Sequence, residues 1–278
     1  MPKFLSEDQI ADYHRDGFLS PLDLFTEDEA GEIRAELEAA EARWPGKLEG
    51  AGRNNAHLVL QCLDRITHHP VLLDAIEDII GADILAYGTV LFIKEQQNPG
   101  FVSWHQDCRY MGLEPHDGET VSAWLALTPS NAVTGCMSMI PGSHKSGILE
   151  HVDTFDDKNI LTRGQSIQNV DEASAVDLIL QPGQFSLHSM RTVHGSKPNL
   201  GTDRRIGFTI QCYMTPKTRQ VISPTMAQLV RGSDPNHHFD YAPRPTGDMT
   251  EAAMAARERN NAQWAEILYA GADKRRDY

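Results

Sequence analysis

The sequence predicts a mainly β fold, a double-sheet jelly roll with flanking helices, and three observations predict it. From residue 84 to about residue 215, short apolar runs rich in β-formers alternate with clusters of Gly, Pro, Asn and Asp. The first 80 residues instead carry helical spacing with recognisable caps. A final helical pattern lies close to the C-terminus.

Ser6 and Gln9 have capping-box spacing ahead of Ile10 and Tyr13, and Gly17 can end that helix. Thr26 and Glu29 repeat the box before Ile33 and Leu37, and Pro45-Gly46 stops the run. Pro70 suits the first turn of a third helix, Val71 to Ile80, closed by Gly81. Strands are expected near 84–94, 102–107, 121–128, 136–140, 175–180, 185–188, 192–196 and 205–215, about eight in all. The polar, acidic stretch from Lys145 to Asp171 reads as a long loop over one mouth of the barrel, of the kind that often serves as a lid. Thr250 to Leu268 reads as one more helix, carrying Met254, Trp264 and Ile267. Without repeats or a linker, the expectation is one domain over 1–278: a helical part to residue 83, the jelly-roll core over 84–216, then a loop and helix.

The chain has 278 residues, enough for a full core, with 40% hydrophobic and 23% charged residues. Its formal net charge is −14 and no basic stripe interrupts that acidity, which argues against a nucleic-acid partner. Lys274-Arg275-Arg276 reads as a solvated tail. The start has no apolar signal core, and no stretch reaches the roughly 20 apolar residues of a membrane-spanning helix. The expectation is therefore a soluble cytoplasmic protein with a small-molecule partner and no membrane contact. No heptad or interface stripe specifies an oligomer. Cys62, Cys108, Cys136 and Cys212 are scattered without a C-x-x-C pair, so they read as buried free thiols.

The chemistry concentrates in Trp104-His105-Gln106-Asp107. In a strand, residues i and i+2 share a face, so His105 and Asp107 converge while Gln106 points away. Two imidazoles and one carboxylate leave open positions on a metal, which suits non-haem Fe(II). Among 12 histidines, His188 and His194 both lie near predicted strand ends. His194 is preferred as the third ligand because of its downstream neighbours: Ser196 on the same strand face, then Arg205 opening the next strand. A guanidinium with a hydroxyl partner can hold a carboxylate, as a chelating dicarboxylate would require at its far end. His188 reads as a core or supporting histidine. Along the strand from Arg205, the polar residues Arg205, Thr209, Gln211 and Tyr213 are expected on one face, with Ile206, Phe208, Ile210 and Cys212 on the other. A polar interior row suggests a site.

With these residues in view, the chain resembles the phytanoyl-CoA dioxygenase family of Fe(II)/2-oxoglutarate oxygenases over roughly Phe4 to Pro216. The segments that carry the resemblance are Leu91-Phe92-Ile93-Lys94, the His105-Gln106-Asp107 motif, Ala123 to Thr128, Gly135-Cys136-Met137, Ile140 to His144, His194-Gly195-Ser196, Pro198-Asn199 and Arg204 to Gly207. An Asp16-Gly17-Phe18 corner also matches. The resemblance implies a double-stranded β-helix, or cupin-like, core. It implies iron on His105, Asp107 and His194, and 2-oxoglutarate with its distal carboxylate on Arg205 and Ser196. It places Trp124 and Lys94 beside that co-substrate. Gly201 stands where the family often has Ser or Thr. Halogenases that resemble the family carry Ala or Gly in place of the carboxylate ligand, so Asp107 favours hydroxylation.

The resemblance also implies the reaction: 2-oxoglutarate and O2 are consumed, succinate and carbon dioxide are released, and a C–H bond is hydroxylated. Candidates for the substrate pocket are Asn55, His57, Arg109, Tyr110, Arg191, Gln211, Tyr213 and Arg219, and two arginines near the metal would suit a small anionic metabolite or natural-product intermediate. Two other readings of the same ligands are a cupin-like metal enzyme without 2-oxoglutarate and a halogenase-type relative. Ser196 and Arg205 argue against the first.

Overall fold

The computed structural model describes residues 2–276 except Asp117. In chain order, the N-terminal part holds α1 (Glu7–Asp16), β1 (Phe18–Asp23), α2 (Glu27–Arg43), α3 (Gln61–Thr67) and α4 (Pro70–Ile80). Both capping boxes form, because each hydroxyl and each N3 side chain satisfies a backbone N–H that the helix leaves without a partner. Pro70 opens α4 and Gly81 closes it. Gly17 ends α1 at φ 85°, and its carbonyl accepts from Ser189 N and Thr192 Oγ1. That corner therefore braces the loop before His194.

The core strands are β2 (Ile84–Ala86), β3 (Thr89–Lys94), β4 (Val102–His105), β5 (Leu113–Glu114), β6 (Thr120–Ala126), β7 (Met137–Met139), β8 (Val152–Asp153), β9 (Gln165–Ser166), β10 (Val176–Asp177), β11 (Gln184–His188), β12 (His194–Ser196) and β13 (Arg205–Met214). After them come β14 (Arg219–Gln220), β15 (Met226–Arg231), β16 (Asp240–Tyr241) and a final helix, α6 (Glu251–Leu268); a short helix, α5 (Cys108–Met111), succeeds β4. Among the described residues, one large sheet runs β1-β11-β6-β13-β2-β15-β16, with β3 also on β13. A smaller sheet runs β10-β7-β12-β4. Side chains from both sheets line one enclosed space, which is the jelly-roll arrangement. The outer face of the large sheet, with Leu125, Leu187, Ile206, Phe208 and Ile210, packs on Leu37, Leu63 and Ile76 of the helical layer. Among the described residues no helix is long and apolar enough to cross a membrane. All four cysteines are buried and free.

Several sequence expectations are corrected. β1 is a strand inside the region read as helical; it forms the outer edge of the large sheet against β11, where Pro21 costs no ladder bond. The large sheet also extends past residue 216, since β15 pairs with β2. The strand expected to reach Asp107 stops at His105, and Asp107 has helical φ/ψ at the head of α5. The acidic 145–171 stretch is not a free loop. Its β8–β9 hairpin lies along β4, where Ile167 N donates to Trp104 O at 2.7 Å and Ser103 Oγ donates to Gln165 O. Arg163 ties it to α6 through Leu268 O and Ala270 O. Arg276 is not solvated tail either: it donates to Asn159 O and Leu161 O.

The alternation along β13 breaks at a point that no local residue pattern marks. Ile210 pairs with Ala123 and Tyr213 with Val121, so β13 spends one extra residue there. A bulge of this kind reverses the face of the residues beyond it. Tyr213 thus sits in the core with Ile206 and Phe208, its hydroxyl donating to Thr67 O at 2.8 Å. It does not face the cavity. Replacing Tyr213 by Phe is expected to cost about 1–3 kcal/mol in chemical unfolding, because Thr67 O loses its donor. Metal and 2-oxoglutarate affinity, measured by titration, should be unchanged.

Candidate metal centre

β4 and β12 are antiparallel neighbours, and their register sets His105 opposite His194. The two rings lie with centroids 4.1 Å apart. Each ring is oriented through Nδ1: that of His105 by Ser103 O at 2.9 Å and His194 O at 3.1 Å, that of His194 by Thr192 O at 2.9 Å. A carbonyl can only accept, so both Nδ1 atoms donate and both rings turn Nε2 towards Asp107. Asp107 brings Oδ1 to 3.3 Å from His105 Nε2 and Oδ2 to 4.0 Å from His194 Nε2. One ligand atom from each of the three lies within 4.8 Å of the others.

The electrostatics suit a cation. Burial pushes the Asp107 carboxyl up, but the imidazoles of His194, His105 and His188 outweigh it and hold it well below the usual carboxylate range. Burial, with His105 beside it, pushes His194 down to about 3, so its ring is neutral at neutral pH. Gln106 points away from the cluster and is fully buried. Its amide donates to Gly147 O at 2.9 Å and Arg191 O at 2.6 Å and accepts from Leu149 N at 2.8 Å. That clamp holds the chain on both sides of the ligand strand.

Two buried basic side chains lie near the cluster: Arg205, which lines the same cavity, and Lys94 beside it. Arg205 is 2% exposed, and its Nε has no hydrogen-bond partner. Its guanidinium sits 5.2 Å from the centroid of Trp124. Gly207 makes room for that indole, since a Cβ there would lie 2.0 Å from Trp124 Cζ2. Lys94, cross-strand from Arg205, donates to Ser196 Oγ at 2.7 Å and Lys197 O at 2.5 Å. No described carboxylate forms an ion pair with either. Burial pushes Arg205 down to about 10; burial and then Arg205 push Lys94 down to about 6. Arg205 therefore stays charged at neutral pH while the Lys94 amine beside it is largely neutral; a buried charge without a counter-charge is costly, and an anionic ligand would relieve that cost and favour the protonated amine.

The wider comparisons agree with this geometry. Residues 13–207 match the family model of phytanoyl-CoA dioxygenase. This chain belongs to the phytanoyl-CoA dioxygenase family. It is 27% identical to a probable alpha-ketoglutarate-dependent hypophosphite dioxygenase of Stutzerimonas stutzeri over 54% of this chain and 52% of that relative, so the match spans about half of that protein. It is 26% identical to an ectoine dioxygenase of Bordetella parapertussis over 70% of this chain and 71% of that relative. The solved structure of a non-heme monooxygenase, ThoJ in its apo form, superposes with a TM-score of 0.83 at 33% identity, covering 94% of this chain and 97% of that one.

For a member of this family, the residues present fit iron and 2-oxoglutarate: two imidazoles presenting Nε2, one ionised carboxylate, and a buried guanidinium beside them. An outer cavity of about 180 Å³ shares His105, Asp107, Phe92 and Gln211 with the inner one and adds Tyr110, Leu161, Gln165 and Trp264. Of the expected substrate residues, Gln211 and Tyr110 line it. Asn55 and His57 do not: they brace β3 from behind, Asn55 Oδ1 accepting from Thr89 N and His57 Nδ1 meeting Thr89 Oγ1 at 2.8 Å. Arg109 is exposed beside the Tyr110 ring. Arg191 lines a different cavity, with His116 and His144. Arg219 lies on the surface, 3.6 Å from Glu114. His188, Phe92 and Met137 line the inner cavity without having been expected there. Phe92 and Met137 had a signal, since both fall inside the matching segments.

Two measurements bear on these residues. Replacing His105 by Ala should abolish tight Fe(II) or Co(II) binding in a titration. Replacing Arg205 by Met should weaken 2-oxoglutarate by ~30-fold or more while metal affinity stays within a few-fold, because a buried charged contact is worth about 2–5 kcal/mol. A further expectation concerns pH. Burial pushes His57 down to about 3 from an unfolded value near 6.5, so the unfolded chain binds the extra proton first. That stability is complete above pH 6.5 and is lost as pH falls from there towards 3. The melting temperature of the metal-free protein should fall over that window, and His57→Gln should flatten the fall.

Proposed function

We propose that the protein is a non-haem Fe(II)- and 2-oxoglutarate-dependent dioxygenase that hydroxylates a C–H bond of a small, polar or anionic metabolite or natural-product intermediate. The observation that carries this reading is the buried guanidinium of Arg205, with the buried Lys94 amine next to it, beside the His105–Asp107–His194 cluster. A metal enzyme that used no dicarboxylate would have no need to bury them. Family membership supports the same reading, and Asp107 favours hydroxylation over halogenation.

His105, Asp107 and His194 would hold the iron, and Arg205, with Ser196 and Lys94, the far carboxylate of 2-oxoglutarate. With these bound, iron and oxygen supply the oxidative decarboxylation of 2-oxoglutarate to succinate and carbon dioxide, coupled to hydroxylation. The remaining work belongs to the chain. Trp124 and Gly207 shape the co-substrate seat, and the guanidinium resting on the indole is kept in one orientation. Gln211 and Tyr110 offer polar contacts in the outer cavity, between apolar walls of Phe92, Leu161 and Trp264. The 145–171 segment, tied down by Arg163 and Arg276, covers that cavity and limits water.

The test is anaerobic. Fe(II) and 2-oxoglutarate together should give a weak visible charge-transfer band, and oxygen with a screen of small polar and anionic compounds should release succinate in step with one of them. Metal binding without that band, and no succinate with any compound, would discard the 2-oxoglutarate reading.

A further inference from the structure

His188 lies on β11, 1% exposed, and lines the inner cavity. Neither of its ring nitrogens has a hydrogen-bond partner. A buried imidazole carries one donor and one acceptor, and leaving both unmet is expensive. Its Nε2 stands 3.7 Å from Asp107 Oδ2, just beyond hydrogen-bond range, while Oδ1 of the same carboxylate is turned to His105 at 3.3 Å. Its ring centroid is 5.0 Å from that of His194. His188 nevertheless falls outside the compact ligand group, so it stands beside the ligands and not among them.

We propose that His188 is a positioning residue: its Nε2–H holds Oδ2 of Asp107, so that Asp107 offers the metal one oxygen. The inference rests on the reading of His105, Asp107 and His194 as a metal centre. Its chemical reason is room. An octahedral centre with three protein ligands accommodates a chelating dicarboxylate and oxygen only while the aspartate uses a single position. A second carboxylate oxygen on the metal would block one of them. His188 gives that oxygen another partner, and its own Nε2 gains one in return.

The experiment compares Co(II) affinity and the visible Co(II) spectrum in the wild type, His188→Leu, His188→Phe and His188→Gln, with the melting temperature of each metal-free protein. The folded apolar variants should bind Co(II) about 10–100-fold more weakly, the range for losing a partner of a metal ligand. Their spectra should change, and Gln, which keeps a donor, should restore both. A folded Leu or Phe variant with wild-type affinity and spectrum overturns the proposal, as does a Gln variant as weak as they are. A measurement on the wild type needs no variant: nitrogen NMR of the Zn(II)-loaded protein should find the His188 proton on Nε2, and finding it on Nδ1 alone overturns the proposal. A wild type that takes up neither metal would instead remove the metal-centre reading itself.

Discussion

The antiparallel register between β4 and β12 is the constraint on which the site depends. It sets two histidines, far apart in sequence, directly across from each other. Strand side chains alternate faces, so a slip of one residue would turn one imidazole out of the cavity. The register is held from several sides. β7 flanks β12 and pairs Met139 with His194. His105 Nδ1 bonds the carbonyl of its own partner, so the pairing that places the ring also fixes its tautomer. Gln106, between the two ligands, pins the loops on either side. Asp107 reaches the cluster because the strand stops and turns into α5, which folds the carboxylate back towards the imidazoles.

The same barrel must then keep a guanidinium and a lysine amine in its interior. On β13 the apolar face with Ile206, Phe208 and Ile210 packs on the helices, while Arg205, Thr209 and Gln211 face the cavity. The apolar face contributes stability and the polar face consumes some of it. The guanidinium resting on an indole and the lysine amine bonded to a hydroxyl and a carbonyl recover part of the desolvation cost. An anion bound to them would recover more, which links occupancy of the site to stability of the fold. The uncompensated charge is thus a sign of function more than of structure.

Part of the outer cavity's wall comes from outside the core strands. Trp264 and Leu268 on α6, and Leu161 and Gln165 from the 145–171 segment, complete the outer cavity. The family match ends at residue 207, so α6 lies beyond it. Most of the candidate metal and co-substrate residues sit on paired strands, Asp107 at the head of α5 excepted, whereas these parts of the wall are held by side-chain contacts such as Arg163 to Leu268 O and Arg276 to Leu161 O.

Local chemistry made much of this legible in advance. The two capping boxes, Pro70 and Gly81 marked helix ends, because caps are satisfied by residues a few positions away. Alternating apolar runs marked most of the strands, and the His105-Gln106-Asp107 motif with His194, Ser196 and Arg205 marked where the chemistry would gather. Tertiary structure decided the rest. β1 became a strand because an edge partner on β11 outweighed local preference. Tyr213 moved to the core because a bulge, visible only once β13 has neighbours, reversed the alternation. Asn55, His57, Arg191 and Arg219 fell outside the outer cavity, and His188 fell inside the inner one, because proximity across sheets depends on register and not on residue type. The sequence by itself determined the candidate ligand set and the ends of α1, α2, α4 and α6, which depend on residue identity and short spacing, but not α3 or α5. Only the folded chain decided which polar side chains share a cavity, since that depends on pairings between strands far apart in sequence.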